Sequence, residues 1–219
     1  LHDRPEWTRI HAKLMPGGYS DHELLSLDSS VAKGALGIME SDRERVRFPW
    51  VTLTLVCLNI LIYLLSLLNP EIMEEWALVP SKLHAHIAGE LSTLVSSMFM
   101  HGGPGHVLGN MYFLWVFGDS LEDVLGRWRF ALLYLAFGLI AGITFAIVTP
   151  SPGLPVVGAS GAVSGILGRY LVLFPKSRLS LYGLLYFQPY RINLPAWFFL
   201  SIWFVLQQVF GIAVQFPGV

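Results

Sequence analysis

Between Trp50 and Leu68 the chain runs for about 19 residues without a charged side chain. As helix, that run is long enough to cross roughly 30 Å of hydrocarbon. Similar apolar runs recur: Val107 to Leu121, apolar except Asn110 and Asp119, which reaches span length by including residues near Leu94 to Met100, then Phe130 to Val148, Ser160 to Phe174 with Arg169 its one charge, low enough to snorkel to the inner headgroups, and Pro195 to Val214. A soluble core can absorb one such run but not five. The composition agrees, with 54% hydrophobic and only 13% charged residues and a mean hydropathy of +0.57, against roughly 25% charge in soluble domains. The expected fold is an all-α, polytopic membrane helix bundle over residues 48–219. Net charge is −1, so no strong global field draws nucleic acid. The single cysteine, Cys57, excludes an internal disulfide and reads as a small apolar side chain in its run.

Residues 1–47 are a different kind of polymer. They hold seven Lys/Arg and eight Asp/Glu, broken by Pro16-Gly17-Gly18. A short helix is expected over 21–38, with Leu24, Leu25, Leu27 and Val31 on one side. It is too small to bury a core, so 1–47 is read as a cytoplasmic, partly disordered extension. Residues 71–104 mix Glu71, Glu74, Glu75 and Glu90 with Met73, Trp76, Leu78 and Val79, which suits short helices lying in the membrane interface. His84 and His86 are two apart and diverge on a helix, and no carboxylate or thiol at supporting spacing makes them a metal site.

Basic residues orient the bundle. Arg43, Arg45 and Arg47 precede the first span, Arg127 and Arg129 separate the second from the third, and Lys176, Arg178 and Arg191 separate the fourth from the fifth. The other loops hold only Lys82. Positive charge stays on the cytoplasmic side, so the N-terminus is expected inside and the loops 69–104 and 149–157 outside. That orientation brings three polar residues to one depth. His106 and Asn110, four apart, share a face at the outer end of the second span. Ser160 stands at the outer end of the fourth, inside Gly158-Ala159-Ser160-Gly161.

Polar groups within a membrane tend to be functional. Backbone N–H groups at the start of the fourth span are unpaired and lie at the positive end of the helix dipole. An oxyanion formed on a carbonyl attacked by Ser160 has such an N–H available, with His106 and Asn110 as side-chain donors. Gly158 and Gly161 allow close approach, and Gly161, Gly165 and Gly168 offer a small-residue face for helix packing. Each feature also has an ordinary structural explanation. Serine is a favoured N-cap, glycines pack helices, and His106 and Asn110 can cap their own helix. Their shared depth favours a site. The Gly-x-Ser-x-Gly elbow of soluble hydrolases is not present, because Ala162 occupies its last position and no strand precedes.

These residues carry a resemblance. His101-x4-His106-x3-Asn110, Gly158-x-Ser160-Gly161-x3-Gly165 and the run Gly118 to Arg127, in this order, resemble the rhomboid family of intramembrane serine proteases over roughly Trp50 to Val219. The resemblance implies a six-helix bundle that cleaves transmembrane segments of other membrane proteins, without metal, cofactor or nucleic acid, in a bacterial inner membrane. It implies Ser160 as nucleophile, and His106 and Asn110 with the Ser160 N–H as oxyanion hole. It gives His101 a supporting role in the outer loop, and Glu122 and Arg127 a role at the inner end of the second helix.

The chain departs from the family pattern in one respect. The general-base histidine belongs on a sixth helix, and the last of the seven histidines here is His106. Five of six spans are expected in these residues, and a C-terminally truncated protease, nearly inactive by itself, is the expectation. Lys176 is about 24 Å along a helix from Ser160, too far for a Ser–Lys dyad. His106 acting as base would empty half the oxyanion hole. The alternative is a non-proteolytic rhomboid-like protein that binds transmembrane clients. A channel or transporter fits less well, lacking inverted repeats and a charged midplane residue.

Overall fold

A computed structural model describes residues 37–40, 47–149, 152–185 and 188–215. Contacts divide the chain into two compact units. Of the described residues, 37–39, 180–185 and 188–193 fall in one, and 40, 47–149, 152–179 and 194–215 in the other.

The larger unit holds the helices. α1 is Trp50–Leu68, with the bounds expected from its uncharged run. Four short helices follow: α2 (Glu71–Trp76), α3 (Pro80–Ala85), α4 (Ile87–Glu90) and α5 (Thr93–Ser96), then a 3₁₀ turn over Ser97–Phe99. Then come α6 (Pro104–Leu125), α7 (Arg127–Val148), α8 (Ser160–Leu173) and α9 (Ala196–Gln215). All five expected runs are therefore helical. The second gains its length differently from the expectation. Leu94 to Met100 belong to separate short elements, and the helix starts at Pro104, which suits a first helical position because its missing N–H would be unpaired there anyway. It continues instead through Glu122 and Asp123 to Leu125.

Burial on α1 is inverted relative to a helix of a soluble protein. The buried residues of α1 are Thr52, Asn59 and Ser66. Leu58, Ile60, Leu61, Leu64, Leu65, Leu67 and Leu68 of the same helix are exposed. An apolar patch of that extent facing outward needs lipid as its solvent. α1 and α7 are each long and apolar enough to cross a membrane.

Two contacts set the interior. α8 packs on α7, with Gly161 against Ala141 and Gly165 against the Phe137 ring. Gly168 faces open space, so the expected three-glycine packing face is a two-glycine face. α6 packs on α1, where Glu122 reaches the first turn of α1. Its carboxyl oxygens accept hydrogen bonds from the backbone N–H of Val51 (2.9 Å) and Thr52 (2.7 Å) and from Thr52 Oγ1 (2.9 Å). α9 meets α6 through aromatic rings, with Phe113 4.7 Å from Trp203 and 6.3 Å from Phe199, centroid to centroid.

The loops at the Ser160 end are tied together. Leu78 and Val156 exchange backbone hydrogen bonds of 3.1 and 2.8 Å, and the Ser81 N–H donates to the Pro152 carbonyl at 2.8 Å. Leu78, Leu83 and Leu94 pack with Ala146 of α7 in a small core, and Leu139 and Val156 lie against it. The short helices are thereby fixed to the upper part of α7.

The smaller unit contains a sheet in the order β1-β2-β3, built from Gly37–Glu40, Arg178–Leu185 and Gln188–Pro195. Ser180 Oγ donates to Asn193 Oδ1 at 2.8 Å, pairing β2 with β3. Of the expected 21–38 helix, residues 21–36 lie outside the described residues, and Gly37–Glu40 is strand. The expectation that 1–47 is partly disordered also falls mainly outside the described residues.

Candidate active site

The site is built where the α5–α6 loop, the head of α6 and the entry to α8 converge. Gly102 and Gly103 break the chain ahead of Pro104, so His101 turns inward while α6 starts. His101 is buried, at 1% exposure. Its Nε2 lies 3.1 Å from Asn110 Nδ2. With the amide nitrogen facing it, Nε2 is the acceptor and the ring proton sits on Nδ1. That second nitrogen is buried on the side of the Phe99 backbone, without a well-formed hydrogen bond. Burial, and next the neighbouring His106 ring, lower the His101 pKa to about 4, while the Phe99 backbone pulls in the opposite direction. His101 is thus a neutral imidazole at physiological pH. Its ring stands edge-on to that of His106, with centroids 5.1 Å apart.

The α8 entry closes on this group from the other side. Gly158 has φ +126, a backbone conformation that side chains other than glycine rarely adopt. Its N–H donates to the Ser97 carbonyl at 2.9 Å. A Cβ at Gly158 would lie 2.7 Å from both Cε1 and Nε2 of His106 and 3.7 Å from Asn110 Nδ2. The backbone of residue 158 is therefore laid directly on the His106 ring. Ser160 is two residues on, so its Cα is within about 7.6 Å of the Gly158 Cα.

The ordinary structural explanations can now be weighed. The N-cap position of α8 is Ala159, and Ser160 is the first helical residue. Ser160 is half-buried and does not occupy the capping position. α6 begins on Gly103 and Pro104, with no side-chain cap. Asn110 spends its amide on His101, not on the helix end. Among the described residues no three His, Cys, Asp or Glu side chains gather as a metal site. The structure brings His101, His106, Asn110 and Gly158 together, with Ser160 two residues beyond Gly158 in the chain, while Gly161 sets the α8–α7 spacing. The sequence reading gave His101 a role in the loop. Its bond to Asn110 shows a more specific one, legible only once the bend at Gly102-Gly103 is known.

Residues 88–217 match the family model described as a Rhomboid domain. The chain belongs to the rhomboid family. It is similar to the rhomboid protease GluP of Bacillus subtilis (strain 168), 33% identical over 133 residues that make up 59% of this chain and 26% of that protein. It is also similar to the mitochondrial presenilin-associated rhomboid-like protein of Homo sapiens, 33% identical over 92 residues, 41% of this chain and 24% of that protein. The chain thus covers only about a quarter of the length of these relatives. The rhomboid match begins at α4 and takes in every element of the site. Together with the outward apolar faces of its helices, it makes this an integral membrane protein.

Proposed function

We propose that this rhomboid chain carries the nucleophile and the oxyanion hole of an intramembrane serine endopeptidase acting on transmembrane segments of other proteins. In this reading residues 48–219 are the membrane domain and 1–47 an extension. The observation that carries the proposal is the contact of the Gly158 backbone with His106 and Asn110, two residues before Ser160. Ser160 Oγ attacks the scissile carbonyl carbon, the hydroxyl proton leaves to a base, and the carbonyl oxygen becomes the oxyanion. His106, the Asn110 amide and the Ser160 N–H are the donors for that charge, in a setting where water is scarce and such donors count for more. His101, by fixing Asn110, is a positioning residue. The base that the family resemblance calls for is a histidine on a sixth helix. His106 is the last histidine of these 219 residues, so by themselves they are expected to be nearly inactive.

The basic clusters at Arg43-Arg45-Arg47, Arg127-Arg129 and Lys176-Arg178-Arg191 support a cytoplasmic N-terminus, with Ser160 toward the outer face. We place the protein in a bacterial inner membrane. A fluorophosphonate probe applied to the full-length protein in its own membranes tests the reading. Labelling of wild type that disappears in Ser160→Ala is expected, together with cleavage of a transmembrane reporter that falls at least about 10³-fold in that variant. Absence of labelling in a folded, full-length protein would make it a non-proteolytic binder of transmembrane clients.

A further inference from the structure

At the opposite end of α6 from Asn110, about 24 Å away, the start of α1 and the joint between α6 and α7 form an open cavity of about 400 Å³. Arg47, Phe48, Asp123, Arg127 and Trp128 line it, with Glu122 at its back. We propose that this cavity holds the phosphate of an anionic phospholipid headgroup.

The charges in the cavity are not equally free. The Glu122 carboxyl is occupied by the three donors at the start of α1. Asp123 Oδ1 accepts the Arg47 backbone N–H at 3.0 Å. Both acids thus accept hydrogen bonds from the chain at the start of α1, and Arg47 and Arg127 are exposed residues lining the cavity. Two guanidinium groups flanking one concavity are suited to a phosphate, whose oxygens accept forked N–H pairs. Asp123 opposes an anion and limits how strongly it is held.

The rim identifies the source of the phosphate. Trp128 is 84% exposed, and Phe48 and Trp50, their rings 4.7 Å apart, are about half exposed. Large aromatic side chains left this open, next to the first residues of two apolar spanning helices, mark headgroup depth. A lipid seated here lays its acyl chains along the exposed apolar flanks of α1 and α7. A free anion in water would have no use for that rim.

Native mass spectrometry of the full-length protein, released from micelles containing equal phosphatidylglycerol and phosphatidylcholine, tests the proposal. One retained phosphatidylglycerol is expected, preferred by roughly thirtyfold, the scale of two basic residues at an anionic surface. The Arg47→Gln/Arg127→Gln protein should lose the preference, and Lys82→Gln, a basic residue at the other end, should keep it. Millimolar inorganic phosphate should not displace the lipid. Equal retention of the two lipids by wild type overturns the proposal, and this comparison needs no variant to fold. Retained preference in the double variant overturns it as well. Displacement by inorganic phosphate would mean a free-anion site and would overturn the lipid assignment.

Discussion

His101 and Gly158 are the residues on which the candidate site turns, and neither is a reacting group. His101 holds Asn110 only as a neutral imidazole. Its folded pKa is about 4, lowered first by burial and then by His106, while an unfolded chain titrates near 6.5. Above about pH 6.5 both states are neutral there and the full stability is present. As pH falls from 6.5 to 4 the unfolded chain takes up a proton that the folded one refuses, so stability is lost across that window, by about 3 kcal/mol at most. Thermal unfolding of the full-length protein in detergent, followed from pH 7.5 to 4.5, should show this slope. His101→Asn should be less stable at pH 7.5, with its deficit shrinking toward pH 4.5. A deficit that does not change with pH would detach the slope from this ring. Gly158→Ala places a methyl against the His106 ring at a φ that disfavours it. A cost of about 1–3 kcal/mol and loss of fluorophosphonate labelling are expected, because the residue that strains is two positions from Ser160, the proposed nucleophile.

At the scale of elements, helices are joined by groups that local pattern does not announce. Glu122 supplies from α6 the acceptors that the start of α1 lacks, since Pro49 offers no side-chain cap. Glu122→Ala leaves the Val51 and Thr52 N–H groups without those acceptors. It should lower the unfolding midpoint by an amount equivalent to about 1–3 kcal/mol, with Glu122→Gln milder because one acceptor oxygen remains. Gly161 and Ala141 make the reciprocal case. A methyl at 161 would sit 2.5 Å from the Ala141 Cβ. Gly161→Ala should destabilise, and Ala141→Gly in the same protein should restore part of the loss, with a coupling of about 0.5–3 kcal/mol. Additive effects would show that the two helices do not touch there.

The same scale shows what could be read in advance. Apolar runs located four of the five long helices to within a few residues, because the cost of a charge in hydrocarbon leaves few places for an end. The ends of α6 escaped, because acids at 122 and 123 look like a stop until α1 is known to lie beside them. The strands β2 and β3 escaped too, although Leu179-Ser180-Leu181 and Ile192-Asn193-Leu194 alternate as strands do. They lie between two long apolar helices, where loop was the simpler expectation. The motif spacings picked out Ser160, His106 and Asn110. The link from His101 to Asn110 needed the turn between them, and the cavity at Arg47 and Arg127 needed three elements to meet.

For the whole helical unit, the hydrogen-bonded pairing of Leu78 with Val156 fixes two distant loops on one side. Residues paired in this way have Cα atoms about 5.5 Å apart, within disulfide range. With Cys57→Ser to remove the native thiol, Leu78→Cys/Val156→Cys should cross-link under mild oxidation in intact membranes. Failure to cross-link in folded protein would separate the loops.

The 14-residue length of α8 bears on the membrane itself. At 1.5 Å per residue α8 measures about 21 Å, some 9 Å short of an average hydrocarbon slab. A segment this short is in hydrophobic mismatch, and the bilayer must thin around it or leave its top uncovered. With the lower tip of α8 at one headgroup layer, its first residue lies beneath the opposite one, at the floor of a dimple that solvent can fill. The shortness of a single helix thus supplies two conditions that the proposed hydrolysis at Ser160 needs together, the depth to meet a lipid-embedded polypeptide and a supply of water to finish the reaction.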